Sequence, residues 1–501
     1  MKNKIFYFII LMSFIMSCSK DEGSVDQEVK VSLNLELIKS NSFSADFSLH
    51  YDDKIENLSL IWGNTSAIDI NNKIGEKKLT STDTKETISN LAQKTTYYFR
   101  LVGTFGGKEI MSNIISTTTS EIKLTFNKKI YFPKPVFAKK VLSVSDGFII
   151  GAIDYANIAG TTSIEIIKLD KNCNLLWSFN IDEREVDNLV EIINLKDGTY
   201  MAFLYGNKNT SLGTYNTKTY AVKFNNKGEK LWTKYYNYQN NEDWTFWFNG
   251  LLEINAFEDK IVLMQQVDTT YYKDGDQFYR EIALDKEGKV INEKLIAKEI
   301  GFNFFKLTYD RYGNKYNVGR KDPNPNDMLV TNDALIEKYD SDNKLVWSHL
   351  YGDSGDDGFE NFVENGKSLV AIGVDDKPTE SRTEWDQYRW VFCTDLQGFK
   401  LWDYQEHRKD FLYSGKDVIT DSEGNTLALF IDVYFPSYQA YNLATLLKFN
   451  NKGDLMWKYE DGEDFNKDEF RPVKVFYENG DYLIFGNNDN EGLWLKTIRV
   501  E

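Results

Sequence analysis

Eight aromatic residues and one arginine stand in stretches that interrupt an otherwise regular chain: Trp244, Trp247, Tyr271, Tyr272, Arg382, Trp385, Tyr434, Tyr438 and Tyr441. Acidic, amide and lysine side chains surround them, as in Asp268-Thr-Thr-Tyr271-Tyr272-Lys-Asp-Gly-Asp276. Rings of this kind stack on sugar faces or fill apolar hollows of a protein, and polar neighbours add directional hydrogen bonds. A glycan or a protein partner is the ligand class they suit. The competing reading is that they only cover the loops that carry them.

Other chemistry has less to build on. The three histidines, His50, His349 and His407, are scattered, so neither a Ser/His/Asp grouping nor a His-based metal site is expected. Asp353-Ser-Gly-Asp356-Asp357-Gly and Asp461-Gly-Glu-Asp464 carry oxygen ligands without the spacing of a helix–loop–helix calcium site. With 76 acidic residues, carboxylate pairs arise by chance, and sequence does not set the separation that hydrolysis needs. The expectation is a protein with no cofactor and no metal that is not an enzyme, a glycan lyase or hydrolase being the minority alternative. A net charge of -17 argues against nucleic acid, whose binding needs a basic patch, and against docking on anionic lipid. Cys173 and Cys393 lie far apart in unlike contexts, and no disulfide between them is expected.

The stretches bearing the aromatics are set between copies of a repeat. Its clearest form is Lys-Phe-Asn-Asn-Lys-Gly-Glu-Lys-Leu-Trp, ending at Trp232. The other copies end at Trp177, Asn292, Trp347, Trp402 and Trp457, giving successive intervals of 55, 60, 55, 55 and 55 residues. A fixed period of this length signals stacked supersecondary units. Each unit parses into four strands, A to D. Asn-Gly and Asp-Gly types close the A–B and C–D turns, which therefore share one tight face. The B–C connections are longer and irregular: 206–218, 268–276, 320–327, 375–385 and 434–441. Length variation confined to one face marks a scaffold with a binding surface. The repeated tryptophans are read as packing between neighbouring units, and unit three, with Val290-Ile-Asn292, as the weakest junction.

Six complete units occupy roughly 135–460, and strands A to C of a seventh come after them. The spare segment 122–131 is expected to supply the missing outer strand, so that the ring closes without a bare edge. The units resemble the β-propeller repeats of the pyrroloquinoline-quinone-like superfamily, with their Asp-x-x-Gly-x-x-x-Trp turn, seen here as Asp395-Leu-Gln-Gly398-Phe-Lys-Leu-Trp402. The enzyme branch of that superfamily carries a vicinal Cys-Cys pair, which this chain lacks. The units count to seven blades, where that branch has eight, and the resemblance is thus to non-enzymatic surface and assembly propellers.

Two further segments precede the repeats. Lys2 and Lys4, the apolar run 5–15 and Ile15-Met16-Ser17-Cys18 resemble a bacterial lipoprotein signal, which implies cleavage after residue 17 and lipidation of Cys18. Ser19-Lys20-Asp21-Glu22 resembles the export signal of surface lipoproteins, and 18–29 reads as a tether. Residues 30–119 alternate apolar and polar in short runs, the strand signature. Leu91-Ala-Gln-Lys-Thr95-Thr-Tyr97 resembles the tyrosine corner of fibronectin type III domains and implies such a sandwich, with Trp62 in its core. The whole is expected to be an all-β, monomeric protein. It would be held to the outer membrane by its lipid alone and exposed at the cell surface. The alternative is an assembly subunit facing the periplasm.

Overall fold

In the computed structural model, the residues described are 31–40, 44–89, 91–120, 122–130, 136–154, 163–181, 188–209, 215–236, 251–257, 260–268, 277–297, 302–310, 312–323, 332–352, 355–378, 385–434, 441–461, 470–488 and 492–500. They hold strands and turns, without a helix. No helix among them is long and apolar enough to cross a membrane.

The amino-terminal strands form two sheets. One sheet orders Leu33–Ser40, Ala45–Tyr51 and Lys85–Ile88. The other orders Gly75–Lys78, Glu56–Gly63, Thr96–Phe105 and Lys108–Met111, with Ile115–Thr118 also paired to Thr96–Phe105. Alternation decides what is buried: Tyr97, Phe99 and Leu101 are buried on one strand, and Leu35, Phe47 and Leu60 on others. The hydroxyl of Tyr97 accepts the Ala92 backbone N–H at 2.9 Å and holds the turn before its strand. Trp62 is half-buried, and Gly75 leaves room for its indole.

From residue 122 onward the described strands form seven four-stranded antiparallel sheets of a β-propeller. Their first strands are Val136–Val144, Asn188–Asn194, Leu251–Phe257, Phe302–Tyr309, Gly358–Glu364, Phe411–Thr420 and Phe470–Glu478. Each packs beside the first strand of the next sheet, and the seventh packs beside the first, so these strands surround an axis. The seventh sheet takes its outer strand from Ile122–Lys129, which pairs antiparallel with Gly492–Val500. Middle strands are covered on both faces and read as apolar runs, as in Ser163–Asp170. The cores lie between sheets: Ile149, Ile164 and Ile166 of the first meet Leu189, Val222 and Phe224 of the second.

The repeated turn has a physical explanation. At Asp170, Asn225, Asp285, Asp340, Asp395 and Asn450 the side-chain Oδ1 accepts backbone N–H groups two and four residues on. Only a short side chain with an acceptor oxygen does this. Three residues on, the backbone takes a positive φ, borne by glycine at 228, 288, 398 and 453 and by Cys173 and Asn343 elsewhere. That glycine also makes room for the preceding sheet's tryptophan. Trp177 Nε1 donates to the Asn226 carbonyl at 3.0 Å, and a Cβ on Gly228 would fall 2.8 Å from the Trp177 ring. Asn292, in the corresponding place of sheet three, is exposed.

Two readings of the B–C connections need correction. Ladder pairing continues from Gly206↔Lys218 to Asn209↔Tyr215, and from Asp375↔Tyr388 to Pro378↔Trp385. The apparent loops at 206–218 and 375–385 are mainly extensions of hairpins. Polar composition hides this, because the ladder is made by backbone N–H and C=O groups and these stretches carry no apolar alternation to announce it.

Candidate functional site

Every first strand departs from its ladder at the same place. The register slips between Ala138 and Lys140, Leu189 and Glu191, Leu251 and Glu253, Phe304 and Lys306, Phe359 and Asn361, Gly415 and Asp417, and Pro472 and Lys474. A bulge adds one unpaired residue and re-aims the side chains beyond it. Seven bulges at one level set seven polar residues in corresponding places around the axis: Lys140, Glu191, Glu253, Lys306, Asn361, Asp417 and Lys474.

Six of them, Glu253 excepted, line a cavity of about 480 Å³ formed by sheets one, two, four, five, six and seven. Asn442 and Asn487 help line it, both close to B–C connections, as does Arg471, at the start of its first strand. The cavity therefore lies toward the face of the B–C connections. Its described lining holds six cations, Lys139, Lys140, Lys306, Lys416, Arg471 and Lys474, against two carboxylates, Glu191 and Asp417.

Several of these groups are paired. Lys140 Nζ stands 3.2 Å from Glu191 Oε2. Burial pushes the Glu191 carboxyl up, but Lys140 and Lys306 more than offset it and hold it below the usual range. Asp417 is buried, bonded to Lys474 Nζ at 2.7 Å and to the Val475 N–H at 3.1 Å. Glu360, a bulge residue, is raised by burial despite Lys416 and the Gly415 N–H. Lys416 is lowered by burial, which outweighs the pull of Glu360, and the like charge of Lys139 adds to the lowering. These are fixed charges in a partly dry setting, where interactions are stronger than at an open surface.

A second charged group differs in balance. Arg389 is fully buried and reaches Asp432 at 3.2 Å, Glu406 at 3.4 Å and Glu460 at 3.8 Å. Lys458 pairs with Glu406 at 2.5 Å, and Arg408 with Glu460. Three cations meet three carboxylates where sheets five and six join, so the charges balance, although the buried Arg389 nitrogens are held by ion pairing and make no hydrogen bond. Of the acidic stretch at 353–358, the described residues Asp356 and Asp357 are engaged by neighbouring strands, and 353–354 lie outside the described residues. Asp356 pairs with Arg320 at 2.9 Å, and Asp357 Oδ1 accepts the Asp376 N–H at 3.0 Å. Among the described residues no group of His, Cys, Asp or Glu is arranged to hold a metal.

The aromatic candidates fare unevenly. Cys18, Trp244, Trp247, Tyr271, Tyr272, Arg382 and Tyr438 lie outside the described residues. Trp385 begins a strand as the partner of Pro378. Tyr434 and Tyr441 are Cα partners at the end of one hairpin, and Tyr434 stacks on Phe411 with centroids 4.7 Å apart. The axial lysines escape sequence reasoning because they sit singly in strand-like runs. Aligning the seven A strands on their turns would show a polar residue recurring at the bulge.

No family profile and no curated relative matches the sequence. Solved structures resemble the chain in shape at very low identity. The β-propeller domain of the trilobed protease from Pyrococcus furiosus aligns over 74% of this chain and 96% of its own, with TM-score 0.41 and 8% identity. A single-site variant of Synechocystis apocarotenoid oxygenase covers 86% and 94%, with TM-score 0.39 and 8% identity. An ulvan lyase, representing a new polysaccharide lyase family, covers 73% and 87%, with TM-score 0.39 and 9% identity. The oxygenase and the lyase are enzymes, and the expectation that this chain is not one is withdrawn; the likeness assigns it no activity.

Proposed function

We propose that the chain is a lipid-anchored propeller of the bacterial outer membrane that receives a glycan or protein ligand at the mouth of its axial cavity. In this reading the seven sheets are seven blades of the pyrroloquinoline-quinone-like repeat type. The sandwich is a fibronectin type III-like spacer, and Cys18 carries the lipid. Two or more acyl chains anchor firmly, at roughly 0.8 kcal/mol per buried CH₂. The observation that carries the binding reading is the cavity of about 480 Å³, polar, charged and lying toward the face of the variable connections. Its size is that of ordinary ligand sites.

The test is binding by the full chain in mild detergent to a panel of glycans and to surface extracts, with turnover followed on every hit. Asn442→Trp, which would fill the mouth, should abolish binding; full affinity in that variant would remove the cavity as the site. Protease treatment of intact cells addresses placement. A propeller protected from cleavage would favour the periplasmic assembly subunit.

A further inference from the structure

Charge around the axis is unevenly spread. The first strands of sheets six, seven and one contribute Lys416, Arg471, Lys474, Lys139 and Lys140 to the cavity, with Asp417 as the single carboxylate of that arc. Glu478 belongs to the same strands but lies at their far end, where it accepts the Ser143 hydroxyl at 2.7 Å. Glu191 and Glu360 come from sheets two and five. One side of the axis is thus strongly positive in a chain of net charge -17.

Charge placed this way is costly without a purpose. Lys416 is half-buried; Glu360 attracts it, but Lys139 lies near enough for the two ammonium groups to repel. Lys416 also bonds the Ser414 hydroxyl at 2.8 Å, which keeps it in place. An anion between Lys139, Lys140 and Lys416 would relieve this repulsion, and the cavity would shield the contact from water. The described lining offers no aromatic ring on which a neutral sugar could stack. A recess of this volume admits the end of a chain, not the surface of a folded partner.

We propose that the positive arc formed by Lys139, Lys140, Lys416 and Arg471 binds the carboxylate or sulfate of an acidic saccharide that enters the axial cavity by its end. This rests on the binding function proposed above and narrows its ligand.

The experiment compares the full chain in detergent with its Lys139→Glu and Lys140→Gln variants on a glycan panel. The panel contains uronate- and sulfate-bearing oligosaccharides beside their carboxyl-reduced and desulfated counterparts, with sodium sulfate as a free-anion arm. Hits should fall among the acidic members and weaken as salt rises. They should be lost in the neutralised counterparts and drop at least tenfold in Lys139→Glu, whose exposed side chain can change without unfolding the ring. Binding of neutral members alone, unaffected by Lys139→Glu, would overturn the inference while leaving the binding function standing. Binding of sulfate without any saccharide would overturn the saccharide assignment. No glycan bound at all would sink the inference together with the glycan form of the function.

Discussion

Gly453 lies directly against Trp402: a Cβ built on the glycine would fall 2.5 Å from the indole ring of the preceding sheet. Gly424, in another turn, has a similar φ of +80° and nothing within 4 Å. Alanine at either position bears the left-handed backbone cost, about 1–2 kcal/mol. Only Gly453→Ala must also displace a tryptophan packed between sheets. Thermal denaturation should show a clearly larger fall in Tm for Gly453→Ala than for Gly424→Ala. Equal falls would mean that Trp402 shifts freely and that the glycine serves the turn alone.

Asp395 separates the turn's need for an oxygen from any need for charge. Its Oδ1 accepts the N–H groups of Gln397 and Phe399, each at 2.9 Å. Asn225 and Asn450 do the same work in their own turns. Asp395→Asn should therefore leave Tm almost unchanged. Asp395→Ala strands two donors at the surface and should cost about 1–2 kcal/mol. A large loss in the asparagine variant would show that the carboxylate charge matters and that an oxygen alone does not suffice.

That turn is also where the sequence is most legible. An acceptor side chain, a glycine three residues on and a tryptophan four after that are local requirements, repeated at a fixed interval, so the all-β propeller can be read from them. The axial site is written differently. Lys140, Glu191 and Asp417 belong to different strands, share no motif, and meet only because each strand bulges at the same level. The stretch around Trp385 misleads in the opposite direction. Its polar residues look like loop, yet the backbone pairs through Pro378 and Trp385. A hairpin extension built from polar residues carries no periodic apolar face to announce itself.

Asp376 should make stability depend on pH in the opposite sense to an ion-paired carboxylate. Burial, reinforced by Asp356 and Asp375 and opposed by Gln387 and Arg320, pushes its carboxyl from 3.8 up to about 6. The native state then holds a proton that the unfolded state has released, so this group's contribution to stability declines as pH rises from about 4 through about 6. Asp376→Asn removes the buried charge. Its Tm should exceed that of the parent above pH 7, and the gain should shrink toward nothing near pH 4. A gain that is the same at both pH values would assign the effect to packing or hydrogen bonding rather than to ionisation.

The two cysteines offer a reporter of opening. Cys173 and Cys393 are both free, and each is 2% exposed. Burial pushes the Cys173 thiol up to about 12 and the Cys393 thiol up to about 11, so little thiolate exists at pH 8. Cys173 packs in the core between sheets seven and one, where the strand 122–129 closes the ring; Cys393 packs between sheets five and six. Alkylation of the folded protein should therefore be negligible over minutes and become complete in denaturant. At intermediate denaturant, mass spectrometry of the labelled peptides should show whether the two sites open together. If Cys173 is labelled first, the non-covalent closure is the first junction of the ring to yield. Rapid labelling of either thiol in native buffer would contradict the packing described for that site.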